Sequence, residues 1–172
     1  DKYNLANKFI ILGVASTWDR RKGLEEFVKL NELLDLDLYV IVLVGLTKEQ
    51  LVEMPKSIVG IQRTENVSQL ADLYSAADVF VNATFEDTFP TTNLEALACG
   101  TPIITYKTGG SVESVMESTG IVVEKGDVGG ILKSIEYMKA KGKKFYEDNC
   151  RKSAVANFDK NVKFKEYFKL YN

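Results

Sequence analysis

The sequence predicts a single doubly wound α/β domain, on three observations. Apolar runs alternate with helix-period segments from one end of the chain to the other. The runs are continuous rather than alternating with polar residues, as in strands covered on both faces. With 172 residues, 45% of them hydrophobic, the chain can bury one substantial core. Strands separated by helices call for parallel pairing and right-handed crossovers. The expected strand order is 3-2-1-4-5-6, with a ligand crevice at the strands' C-terminal ends.

The elements follow in order. Residues 1–8 read as linker, and the chain opens on Asp1 rather than Met, so a longer protein is expected. Phe9–Ala15 is the first buried strand, and Leu24, Phe27, Val28 and Leu34 then recur at helical spacing. Leu38–Val44 is the second strand, ended by Gly45. A short helix at Lys48–Glu53 and a strand at Ile58–Ile61 come next. Asn66 and Gln69 form a capping-box pattern before a helix expected to bury Val67, Leu70, Ala71 and Tyr74. Asp78–Ala83 is a strand, Thr91–Cys99 a helix, and Pro102–Thr105 and Ile121–Val123 are strands. Helices over Val128–Lys139 and Phe145–Ala156, and a terminal one over residues 159–172, complete the chain.

Composition narrows the chemistry. A net charge of -2 gives no support for wholesale binding to nucleic acid or a bilayer. No apolar run reaches the length of a membrane span, and no signal-peptide pattern opens the sequence. Cys99 and Cys150 have no metal-like spacing and fit a reducing cytoplasm. The absence of histidine excludes a Ser-His-Asp triad, a Cys-His pair and His-ligated zinc from this chain.

The informative stretch runs from Phe85 to Pro102, between a strand and a helix, where an open α/β sheet places its ligand. Pro90 disfavours helix at Phe89, so the helix begins just after it. Thr91 and Thr92 then occupy the first turn, where unpartnered N–H groups and the helix dipole attract phosphate. Leu94, Leu97 and Ala98 are expected to face the sheet, and Thr91 and Glu95 the crevice. A carboxylate at Glu95 can accept both vicinal hydroxyls of a ribose, and Asp87 can do the same for a sugar.

This stretch resembles the donor-domain signature of the retaining, GT-B-fold glycosyltransferases of family 4. That signature has an acidic residue, a short loop, Leu-Glu-Ala, and a small-residue run ending in Gly-Thr-Pro. Asp87 and Glu95 stand at its two acidic positions. The resemblance extends to Gly13–Gly23, Arg63-Thr64, Leu73–Asn82 and Thr108-Gly109-Gly110, in the expected order and over nearly the whole chain. It implies transfer of a hexose-type unit from a nucleoside diphosphate sugar, with retention, by a protein whose other half holds the acceptor. The isolated half is expected to be inactive. Lys22, with Arg21, Thr91 and Thr92, should meet the donor diphosphate. Asp87, Phe89 and Pro90 should meet the sugar, Glu95 the ribose, and Arg63 and Thr64 the base. Lys22 and the helix N-terminus supply the charge, so no cofactor or divalent metal is expected. The setting implied is bacterial surface-polysaccharide or glycoconjugate synthesis in the cytoplasm, peripheral to the inner membrane in the longer protein.

Two positions depart from the family pattern. The first acidic residue is usually glutamate, and Asp87 is one methylene shorter. Many members carry arginine where this chain has Ser16; Arg20 or Arg21 could supply that charge.

Other features have plainer readings. Arg20-Arg21-Lys22 can be a solvated helix start, and Gly109-Gly110 a turn needing positive φ or a close backbone approach to the donor. The rings of Trp18 and Phe89 read as local packing rather than as sugar-stacking platforms, and Cys99 as a small packing residue rather than a nucleophile. Phe164, Tyr167, Phe168 and Tyr171 share one face of the terminal helix and are expected to lie partly exposed toward the other half. Rival functions are a nucleotide-sugar epimerase, which resembles this fold but carries histidines here, and a non-catalytic nucleotide-binding module. A phosphorylation-controlled receiver would need an acidic pair where the chain reads Ala15-Ser16-Thr17.

Overall fold

The computed structural model describes residue 5, residues 7–160 and residues 162–164. Six parallel strands form one sheet: β1 (Phe9–Val14), β2 (Tyr39–Val44), β3 (Ile58–Ile61), β4 (Val79–Asn82), β5 (Ile103–Tyr106) and β6 (Gly120–Val123). Their order is β3-β2-β1-β4-β5-β6, the doubly wound arrangement expected from the alternation of elements. Every residue of β2 is buried, and Ile41 and Leu43 are fully so. Each such side chain contributes about 1.5–3 kcal/mol relative to exposure, which is why the run carries no polar residue.

The crossovers are α1 (Leu24–Leu33), α2 (Lys48–Glu53), α3 (Val67–Ala76) and α4 (Thr91–Ala98), and α5 (Val128–Lys141) and α6 (Lys143–Phe158) follow the last strand. A 3-10 turn at Gly109–Ser114, absent from the sequence expectation, follows β5. Lys160 and residues 162–164 are helical, Phe164 is exposed, and Tyr167, Phe168 and Tyr171 lie outside the described residues.

Three expectations need correction. Val67 is 83% exposed rather than buried, because it opens α3 on its solvent side, and Leu70 and Ala71 are half-buried, while Tyr74 enters the core. The box before α3 is shifted: Asn66 caps Gln69 N–H at 2.9 Å, but Gln69 Oε1 takes the N–H of Glu65 instead. On α4, the buried residues are Asn93, Ala96 and Leu97, whereas Ala98 is exposed. The helix is rotated so that a polar side chain, Asn93, faces inward. Asn93 is satisfied there by Asn82 Nδ2, which donates to it at 2.9 Å, and by its own bonds to Ser111 O and Ser114 Oγ.

Candidate functional site

The sheet order reverses between β1 and β4, and a cleft of about 620 Å³ opens at the C-terminal ends of these strands. Val14, Ala15 and Ser16 at the end of β1 and Val81, Asn82 and Ala83 at the end of β4 line it. Splayed crossovers at such a reversal leave the backbone ends of both strands accessible. Lys22, Arg63, Thr64, Asp87, Phe89, Pro90, Thr91, Thr92 and Glu95 all line it. Residues separated by more than 70 positions in sequence are thus gathered around one space.

Close backbone contacts fix the loops that carry these side chains. Gly23, at φ 77, caps α1 from the left-handed region, and a Cβ there would stand 2.2 Å from Ala83 O. The carbonyl of Arg21 accepts from Phe85 N–H at 2.7 Å, joining the β1–α1 and β4–α4 loops. On the other side, Gly110 N–H donates to Asp87 O at 3.3 Å, and a Cβ on Gly110 would stand 1.9 Å from Thr88 O. The Gly109-Gly110 pair therefore admits the backbone of the Asp87–Thr88 loop.

Charge in the cleft is partly paired within the protein. Lys22 Nζ and Asp87 Oδ2 form an ion pair at 2.7 Å. Glu95 Oε2 accepts from the Tyr74 hydroxyl at 3.0 Å, and burial with the adjacent carboxylate drives that hydroxyl far above its usual pKa. The phenol therefore stays a donor. Pro90 occupies the N-cap of α4 without a side-chain cap. Thr91 and Thr92 N–H make no backbone or side-chain hydrogen bond among the described residues, so this helix end presents free donors to the cleft.

Arg21 is placed differently. It borders two neighbouring grooves with Phe85, Glu86 and Lys125, not the main cleft. Trp18 forms a wall, 4% exposed, its indole N–H donating to Val44 O at 2.8 Å. Phe89 is 38% exposed and tilts against Phe158 at 6.0 Å, so it is packed and cleft-lining at once. Burial pushes the Cys99 thiol up, as for a packing residue rather than a nucleophile. Sequence reasoning missed one residue behind the cleft, Tyr74, and one that lines it, Asn82. Tyr74 was readable only as core, since nothing in its spacing shows a hydroxyl aimed at Glu95. Asn82 had a signal, being the polar residue at the C-terminal end of an apolar strand.

An Asp-x-Asp triplet occurs as Asp35-Leu36-Asp37, before β2 at the opposite edge of the sheet from the cleft. Its Asp35 carboxylate accepts from Asp37 N–H at 3.0 Å. Among the described residues no group of three or more acidic or thiol side chains could hold a metal ion. No helix among them is long and apolar enough to cross a membrane.

A family model described as Glycosyl transferases group 1 matches residues 8–140. The chain belongs to this family. Among glycosyltransferase relatives, the capsular polysaccharide biosynthesis glycosyltransferase CapM of Staphylococcus aureus is 24% identical, over all of this chain and 48% of CapM. A D-inositol 3-phosphate glycosyltransferase of an Arthrobacter species is 31% identical, over 69% of this chain and 31% of that protein. This family member thus spans about half the length of CapM and less of the other. The sucrose-phosphate synthase structure from Thermosynechococcus elongatus superposes with a TM-score of 0.83 at 25% identity, over 99% of this chain and 46% of that one. Anabaena HepE in complex with UDP gives 0.84 at 16% identity, over 99% and 50%. The latter likeness speaks for the fold alone, the Rossmann-like domain of GT-B glycosyltransferases.

Proposed function

We propose that this chain is the donor-binding half of a retaining glycosyltransferase of family 4, which moves a hexose-type sugar from a nucleoside diphosphate to an acceptor. The observation that carries this reading is the cleft at the strand reversal. There a lysine, an uncapped helix N-terminus and two carboxylates face one another. Lys22 and the N–H groups of Thr91 and Thr92 take the diphosphate, with Arg21 adding charge from the adjoining groove. Glu95, oriented by Tyr74, takes the ribose hydroxyls. Arg63 and Thr64 lie against the base, and Asp87, Phe89 and Pro90 against the sugar.

In this assignment catalysis is positioning plus stabilisation of the leaving diphosphate. Fixed donors need little reorganisation as charge develops on the leaving oxygen, and the lysine and helix end supply it without a metal. No protein nucleophile is assigned in this half. A partner domain upstream holds the acceptor, and the exposed Phe164 belongs to the face that meets it. The names of the relatives, a capsular polysaccharide biosynthesis glycosyltransferase and a D-inositol 3-phosphate glycosyltransferase, favour polysaccharide or glycoconjugate synthesis.

Calorimetry with uridine, guanosine and adenosine diphosphates and their sugars tests the assignment. One base series should bind weakly, because an open cleft leaves the phosphates partly solvated. Transfer should be absent from residues 1–172 and appear when the upstream domain is restored. Absence of binding by all three diphosphates, or robust transfer by the chain alone, would overturn the two-half assignment.

A further inference from the structure

We propose that Asp87 competes with the donor's phosphates for Lys22, so that the site prefers a sugar-bearing diphosphate over the bare diphosphate left after transfer. This rests on the donor-site assignment and adds a source of discrimination to it.

The geometry forces the contest. Asp87 Oδ2 lies 2.7 Å from Lys22 Nζ, while Oδ1 accepts Phe89 N–H at 3.2 Å. The side chains are only 27% and 14% exposed for Lys22 and Asp87. The backbone of each partner is held in place. Asp19 Oδ1 holds the Lys22 N–H at 2.8 Å, and the Asp87 backbone is pinned by Gly110 N–H and by the close approach at Gly109. An anion reaching Lys22 from the cleft therefore arrives beside a carboxylate that already neutralises it.

Charge alone would make a cationic site favour the wrong ligand. The terminal phosphate of a bare nucleoside diphosphate carries close to one further negative charge at neutral pH, since a second phosphate ionisation lies near pH 6. Beside Asp87 that extra charge is repelled in a partly desolvated setting. A sugar-bearing diphosphate has lost it, and its hydroxyls can donate to the carboxylate displaced from Lys22. The same aspartate thus penalises the product and is satisfied by the substrate. Weaker retention of the spent diphosphate follows, which favours turnover where product release is slow.

The test compares affinities of wild type and Asp87→Asn for uridine, guanosine and adenosine diphosphates and for their glucose conjugates, by calorimetry. Asparagine keeps an oxygen for the Phe89 N–H and removes the charge. In the base series that binds, wild type should hold the sugar nucleotide about tenfold more tightly than the bare diphosphate. Asp87→Asn should tighten the bare diphosphate by about tenfold and abolish or reverse that preference. The wild-type comparison stands alone if the variant does not fold. A wild type that prefers the bare diphosphate, or a variant that keeps the wild-type preference, overturns the competition while leaving donor binding intact. No binding of either ligand class by wild type overturns both.

Discussion

Two lysine–aspartate constellations sit at opposite edges of the sheet, and they use the same side chains in opposite ways. At the N-terminal edge, Asp78 accepts from Ile10 N–H at 2.8 Å, and Lys143 donates to Ala77 O at 2.7 Å and to Ser75 O. Burial raises the Asp78 carboxyl and lowers the Lys143 ammonium, each against the pull of nearby opposite charge. Their hydrogen-bonding capacity is spent on backbone groups that strand and helix ends leave over. At the C-terminal edge, Lys22 and Asp87 hold each other in a cleft beside donors that nothing in the described fold uses. Side chains spent wholly on backbone groups stabilise the structure, whereas an ammonium held by a cleft carboxylate, as at Lys22, can be exchanged for a ligand.

The comparison predicts crossed effects of mutation. The largest should be Lys22→Ala, which removes a charged hydrogen bond and frees Asp87 to repel phosphate. It should weaken nucleoside diphosphate binding by about 1.5–3 kcal/mol while sparing the free nucleoside and changing stability little. Equal losses for both ligands would take Lys22 off the phosphate. Asp78→Ala should do the reverse, costing about 2 kcal/mol of stability in urea unfolding by stranding the Ile10 N–H, with ligand affinity unchanged. Asp78→Asn, which retains an acceptor and relieves a costly buried charge, should lose less. If both substitutions moved affinity, the division between edges would fail.

Glu95→Gln should cost on the order of 1–2 kcal/mol for the ribose diphosphate, and less for its 2′-deoxy analogue. Equal losses for both sugars would remove Glu95 from the 2′-hydroxyl. The smallest effect belongs to Lys107→Ala. Its pairing with Glu124 at 3.2 Å is exposed, with side chains 64% and 75% accessible. Unfolding should shift by about 0.5 kcal/mol at most. A larger shift would show that exposed pairs near the cleft act structurally.

Much of the fold was legible because its signal is local. The apolar runs at Tyr39–Val44 and Ile58–Ile61 announce strands, and Pro90 marks the start of α4 within a residue. The facing of α4 was not legible. Leu94, Leu97 and Ala98 form an apolar stripe, yet the helix turns Asn93 inward, because partners at Asn82, Ser111 and Ser114 make a buried amide acceptable. None of those partners is visible from α4's own periodicity. The 3-10 turn at Gly109–Ser114 escaped for a similar reason: its glycines answer to the backbone of Asp87 and Thr88, far away in sequence.

By itself the sequence determined the order of strands and helices, the position of the reversal where a ligand can enter, and the residue types gathered there. These depend on local hydrophobic period, on proline and glycine, and on the handedness of crossovers, all written along the chain. Tertiary structure alone decided which of those residues are free and which are engaged. It set Lys22 against Asp87, gave Glu95 the Tyr74 hydroxyl, and turned Arg21 into the neighbouring grooves. Pairings at 2.7–3.0 Å between side chains 21 and 65 positions apart arise from how whole elements pack, and no local pattern encodes them.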